Sequence, residues 1–324
     1  MRRFALLVIA VAAVMIAFRR ARAHGGPKPP VQPPSGPGGV ARDHASIFKH
    51  AYGNGATQFW LYEPRDPAPT SAPVVIFLHG WMAMRPPPYE PWIKHLVRRG
   101  NIVIYPRYQS WLLASPREFT ANTIAAIHAA LQELQSGTHT RPELDHVAVV
   151  GHSMGGAITA NIAALAADEG LPQPRAVMSV EPGDGTRHVP LVNFPKADWS
   201  KIPPETLLLT VVGEDDRLAG GAYARLIFQG TPQIPRENKN FVTVLTDRHG
   251  SPALVANHFA PCSIRVAADA LDYYGFWKLF DGLTDAAFYG THREYALGNT
   301  PQQRFMGKWS DGKPVKELRV TTTP

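Results

Sequence analysis

Val147-Ala148-Val149-Val150-Gly151-His152-Ser153-Met154-Gly155-Gly156 is the stretch that decides the fold. Its first four residues are apolar and β-rich, and read as a strand buried on both faces. From Met154 to Asp168 the chain is Ala-rich and closes at Gly170, which reads as a helix. Between the two, Gly151-His152-Ser153-Met154-Gly155 matches G-x-S-x-G. That pattern makes a sharp strand-to-helix turn, which pushes the serine side chain out of the sheet and onto a helix N-terminus. The turn needs small neighbours; Gly151 and Gly155 supply them, and Gly156 lets the helix pack close to the strand. The helix N-terminus also favours developing negative charge. The bare pattern is common by chance, and its place between a buried strand and a helix makes it specific.

Upstream, Val74–Leu78 and Ile102–Tyr105 are two more uninterrupted apolar runs, separated by a helix expected over Tyr89–Arg99 and stopped by Gly100. Thr57–Tyr62 reads as an edge strand ended at Glu63-Pro64, and Thr120–Leu134 has apolar residues at helical spacing. Downstream, Ala176–Val180, Leu207–Val212 and Phe241–Leu245 complete the strands, and Ala267–Phe280 reads as a closing helix. Short apolar strands alternating with helices imply an α/β fold: a mostly parallel, doubly wound sheet with helices on both faces. With 324 residues, 44% of them hydrophobic, the chain can bury one large core without a second domain. Residues 40–324 are therefore expected to form one domain, with a polar, irregular C-terminal extension from about residue 286.

Three further islands carry candidate chemistry. Phe77-Leu78-His79-Gly80-Trp81 ends the strand Val74–Leu78; Val211-Val212-Gly213-Glu214-Asp215-Asp216-Arg217 leads from a strand into an acidic turn. Asn257-His258-Phe259-Ala260-Pro261 follows the last strand and precedes the closing helix. With the serine turn, these islands resemble the α/β-hydrolase superfamily. Within it, the likeness is to secreted polyester-hydrolase, cutinase-like and dienelactone-hydrolase-like serine esterases, over Thr57 to Phe280. The resemblance implies a Ser-His-Asp triad that cleaves carboxylic esters through an acyl-enzyme intermediate, with no cofactor. Matched by position, Ser153 is the nucleophile, Asp216 the acid and His258 the base, and the Trp81 and Met154 backbone N–H groups form the oxyanion hole. His79 is expected to fix its loop, and the Trp81 side chain to flank an acyl pocket.

Alternatives stay open at two positions of the triad. Asp215 adjoins Asp216, and Glu181 and Asp184 stand one strand earlier, where some relatives carry the acid. His249, in Asp247-Arg248-His249-Gly250, sits nearer its strand end than His258. The chain also departs from polyester hydrolases, which commonly hold a disulfide near the C-terminus: Cys262 is its sole cysteine. The long stretch from Glu181 to Leu207, with Phe194 and Trp199, is expected to form a lid or pocket wall. Trp81, Trp92, Tyr105, Tyr108 and Trp111 are candidates either for pocket lining or for core. An amidase or serine peptidase of the same fold, and a catalytically silent binding protein, are the rival functions. The complete set of Ser, Asp and His in superfamily order argues against the silent protein, and single-domain size without a propeller-like repeat domain argues against an oligopeptidase.

The ends of the chain read differently from its middle. Residues 1–23 have a basic start, an apolar run from Phe4 to Phe18, and Ala21-Arg22-Ala23 as a cleavage site: a signal peptide, or an uncleaved membrane anchor held by Arg19, Arg20 and Arg22. Export to the periplasm or medium is expected either way. Residues 24–39 are Pro/Gly-rich and read as a linker. Residues 1–23 hold five arginines and no acid, so without them the formal charge of +7 falls to +2. No basic patch argues for nucleic acid. The chain's 13 histidines show no metal-ligand spacing, and no G-x-G-x-x-G follows the first strand, so neither a metal nor a dinucleotide is expected. The expected partner is a small or polymeric ester, with membrane contact only through an uncleaved N-terminus.

Overall fold

The computed structural model describes residues 25–185, 194–263 and 267–324. The expected signal peptide or anchor, within residues 1–23, lies outside the described residues. Among the described residues no helix is long and apolar enough to cross a membrane.

The strands are β1 (Ser46–Tyr52), β2 (Phe59–Arg65), β3 (Ser71–Leu78), β4 (Ile102–Pro106), β5 (Arg141–His152), β6 (Ala176–Val180), β7 (Leu207–Gly213), β8 (Lys239–Val244) and β9 (Arg319–Thr321). They form one sheet in the order β1-β2-β4-β3-β5-β6-β7-β8-β9. The strands from β4 to β8 in that order run parallel, while β1, β2 and β9 pair antiparallel at the two edges. The main helices are α1 (Glu90–Arg98), α2 (Phe119–Glu133), α3 (Met154–Leu165), α4 (Ala222–Gln229) and α5 (Lys278–Tyr289), the last entered through a π-helical turn at Leu271–Trp277. The α/β-hydrolase fold is thus present as a mostly parallel, doubly wound sheet.

Strand periodicity sorts the core into two layers. Val75 and Phe77 of β3 face Trp92 and Ile93 of α1 and Phe276 and Phe280 near α5, whereas Val74 and Ile76 face Ile124 and Ile127 of α2 and Ile158 and Ile162 of α3. Because β4 and β5 flank β3 on opposite sides, the chain reverses direction across the sheet there. A crevice opens at such a switch point, beyond the carboxyl ends of the strands. The ends of β3 and β5 carry His79-Gly80 and His152-Ser153 to that end of the sheet.

Several expectations need correction. β2 is internal, because β1 covers it; the Lys49 and His50 positions of β1 are exposed, which hid its alternation. The Pro/Gly-rich stretch is packed rather than free. Gly38 N–H donates to Asp281 Oδ2 (2.7 Å), Ser251 N–H to Pro27 O (2.9 Å) and Tyr274 Oη to Val31 O (3.1 Å). Its lack of apolar side chains is offset by backbone groups that find partners on the C-terminal part of the chain. That part is ordered too. Lys278 Nζ donates to Gln302 O, Gln303 O and Phe305 O, Trp309 is buried, and β9 pairs with β8. Of the expected lid, residues 186–193 lie outside the described residues. Phe194 and Trp199 are buried against α3, where Trp199 Nε1 donates to Asn161 Oδ1 (3.0 Å).

Candidate active site

Ser153 sits between β5 and α3 with φ 57° and ψ −120°, a strained backbone for a residue with a side chain. Its carbonyl accepts the first bond of α3 from Ala157 N–H, and its own N–H donates to Val180 O, so the turn is held from both sides. The turn tolerates no bulk: a Cβ on Gly155 would lie 2.3 Å from Leu78 O and 2.4 Å from His79 O. This close approach brings the loop after β3 directly over the start of α3.

His258 Nε2 lies 2.9 Å from Ser153 Oγ, and His258 Nδ1 lies 3.0 Å from Asp216 Oδ2. Asp216 stands in the turn after β7, and its other oxygen accepts N–H bonds from Leu218 and Ala219, each 2.9 Å. Burial raises the Asp216 carboxyl, but the bonds from His258, Ala219 and Leu218 outweigh it and hold the group below the ordinary carboxylate value. The carboxylate therefore faces the imidazole as an anion. Ser153, His258 and Asp216 are brought together; they come from three separate loops.

The alternatives are placed elsewhere or in a different state. Asp215 accepts from Thr246 Oγ1 and Arg248 Nη2, both 2.8 Å. His249 pairs with Asp311 of the C-terminal extension at 2.8 Å. Asp184 follows in the loop, and its charge acts on Tyr223. Glu181 is the near competitor. It is fully buried with φ 45°, and its Oε2 lies 3.7 Å from His258 Nδ1 and 3.4 Å from His152 Nε2. Burial, reinforced by the Asp216 charge, pushes its carboxyl well above the ordinary value.

Gly80 brings the expected oxyanion loop to the serine. A Cβ there would meet Ser153 Cβ at 3.3 Å, so the Gly80–Trp81 peptide borders the site. Met154 is the first residue of α3, beside the serine. The Trp81 side chain packs edge-on to Phe119 and its Nε1 reaches Leu112 O at 3.4 Å. Of the other candidate aromatics, Trp92, Tyr105 and Tyr108 are core, and Trp111 is exposed. Tyr105 and Tyr108 support the loop from beneath, donating to Ala83 O and His79 O, both 2.5 Å. His79 stacks on Tyr108 with ring centroids 4.0 Å apart, between the carbonyls of Gly80 and Arg107. Burial lowers its imidazole to about 4, with the two carbonyls acting in the opposite direction.

Two residues of this region carry no sequence signal. The buried Gln109 accepts from Met82 N–H and donates to Trp111 O, each 2.9 Å, joining the loops after β3 and β4. Tyr89 Oη accepts from Gly80 N–H (2.9 Å) and touches His152 Nδ1 (2.8 Å). Among the described residues, His152, Glu181 and His258 place ligand-type atoms within 4.8 Å of one another. Two of those atoms are already engaged, His258 Nδ1 by Asp216 and His152 Nε2 by His258 O (2.8 Å).

Residues 57–196 match the family model described as Chlorophyllase, a family within the α/β-hydrolase superfamily. The match includes the serine turn and ends before the turn that carries Asp216. No curated protein matches the chain. Fold and family match together mark the chain as a hydrolase of the α/β-hydrolase type.

Proposed function

We propose that this member of the α/β-hydrolase superfamily is a serine hydrolase of carboxylic esters, acting through Ser153, His258 and Asp216. The observation that carries the reading is the hydrogen-bonded chain from Ser153 Oγ through His258 to Asp216, at 2.9 Å and 3.0 Å. His258 Nε2 takes the proton as Ser153 Oγ attacks the ester carbonyl carbon. The Trp81 and Met154 N–H groups receive the oxyanion. Collapse breaks the bond to the alkoxy oxygen, which leaves with the proton from His258. Water then attacks the acyl-enzyme with His258 again as base, and the acid departs. Asp216 stabilises the imidazolium without itself becoming protonated. No step calls for a metal or an organic cofactor.

The substrate is a small or polymeric ester, and the chain is exported, either cleaved after residue 23 or retained by its N-terminus. Turnover of p-nitrophenyl esters from acetate to palmitate by the chain and by Ser153→Ala tests the chemistry. Activity in the first and silence in the second is expected. A folded parent that hydrolyses none of the series overturns the ester reading. An N-terminus at His24 in the exported protein is the expected sign of cleavage.

A further inference from the structure

His152 occupies the variable position before the serine, and nothing in the triad mechanism uses it. It is nevertheless buried, and its ring nitrogens meet Tyr89, His258 and Glu181. Its Nε2 is 2.8 Å from His258 O, and its Nδ1 is 2.8 Å from Tyr89 Oη. A carbonyl oxygen can only accept, so Nε2 carries the proton, and in the neutral ring Nδ1 is a bare acceptor. The Tyr89 hydroxyl must then donate to Nδ1. The same hydroxyl oxygen accepts Gly80 N–H at 2.9 Å, which agrees with that direction. The shortest contacts order the protons along the path: Gly80 N–H to Tyr89, Tyr89 O–H to His152 Nδ1, and His152 Nε2–H to His258 O, with Cys262 Sγ at 3.7 Å from Nδ1 and Glu181 Oε2 at 3.4 Å from Nε2 as the more distant neighbours.

We infer that Tyr89 and His152 form a positioning relay, which fixes the Gly80–Trp81 peptide of the oxyanion loop relative to the backbone of the general base. The relay spans the two sides of the reacting carbonyl. One end is the peptide that borders Ser153 Cβ; the other is the residue whose imidazole reaches Ser153 Oγ. Both members are buried, Tyr89 at 1% and His152 at 3% exposure, so water does not replace a lost link. Burial also keeps the Tyr89 phenol well above its ordinary value, which preserves its proton as a donor. The inference rests on the esterase reading of Ser153, because only the tetrahedral intermediate feels both ends at once.

The test is a double-mutant cycle on ester hydrolysis with Tyr89→Phe, His152→Leu and both together, beside the parent and Ser153→Ala. Misplacement of reacting groups by a fraction of an ångström lowers turnover by about tenfold to a hundredfold. Tyr89→Phe is expected to lower kcat by about tenfold or more with KM within about twofold. The double variant should be no slower than His152→Leu, because either change cuts the same path. His152→Gln, which can still donate to His258 O, should recover part of the loss. If His152→Leu fails to fold, Tyr89→Phe and His152→Gln alone decide. Independent losses, or a Tyr89→Phe kcat equal to the parent's, overturn the relay while leaving Ser153 in place. A parent without turnover overturns the esterase reading instead.

Discussion

His258 Nε2 stands 2.9 Å from Ser153 Oγ although 105 residues separate them in the chain. The sheet closes that gap by ending β5 and the loop beyond β8 at the same edge. His258 Nδ1 in turn has one carboxylate at 3.0 Å and a second, fully buried carboxyl group at 3.7 Å, from Asp216 and Glu181. Asp216→Asn should lower kcat/KM by about three to four orders of magnitude, because an amide neither holds the correct tautomer nor stabilises the imidazolium. Glu181→Gln leaves the shorter Asp216–His258 contact in place and should change kcat/KM by less than about tenfold. Esterase kinetics on both variants decide which carboxyl serves the base; the reverse ranking would move the acid to the end of β6.

Gly155 should resist the smallest enlargement. In Gly155→Ala the new methyl would meet two carbonyl oxygens, at 2.3 Å and 2.4 Å, and both belong to backbone that carries the oxyanion loop. Loss of kcat by at least about a hundredfold is expected, with a lowered Tm. Crystallography of the variant should show the loop after β3 displaced from α3; an unmoved loop with full turnover would contradict the close-approach account.

The C-terminal extension should contribute to global stability. Trp309 is buried, its Nε1 donates to Asp247 Oδ2 at 3.2 Å, and Asp247 also receives His249 N–H and Lys316 N–H. Trp309→Ala should cost about 3–5 kcal/mol of unfolding free energy. Urea unfolding measures it, and a loss below about 1 kcal/mol would return the extension to a surface appendage.

Asp281 should make stability depend on acid. Burial raises its carboxyl, but Arg99, His95 and Gly38 N–H together bring it below the ordinary value. The folded state therefore binds fewer protons there than the unfolded chain. Its contribution is present above the unfolded carboxylate value, about 3.9, and is lost as pH falls through the lower folded value. Asp281→Asn should be less stable than the parent at pH 7, by about 3 kcal/mol. The difference should shrink as pH falls below about 4. A difference that is the same at both ends of that range would sink this assignment.

The central sheet was legible because its strands are short, apolar and bounded by helices, so period and length agree. The serine turn, the Asp216 turn and the His258 loop were legible because their place relative to strand ends narrows the chemistry. β1 and β9 were not: the first interleaves Lys49 and His50 on an exposed edge, and the second has only three residues. Residues 25–39 and the extension pair with each other. Ser310 N–H finding Lys28 O, with Lys28 N–H finding Ser310 Oγ, is a pairing that neither segment announces alone. Choosing Asp216 over Asp215 and His258 over His249 likewise needed side-chain direction, since each pair shares composition and neighbourhood. Tyr89 and Gln109 hold the site through side-chain hydrogen bonds to other parts of the chain, which leave no pattern in a sequence.

The most direct test of Ser153 as nucleophile is covalent capture by a fluorophosphonate, read by intact mass and peptide mapping. A single equivalent should attach to the peptide that contains Ser153, abolish ester hydrolysis in proportion to labelling, and react far more slowly in His258→Ala. Labelling at another residue, or ester turnover that persists in Ser153→Ala, would contradict the proposed triad.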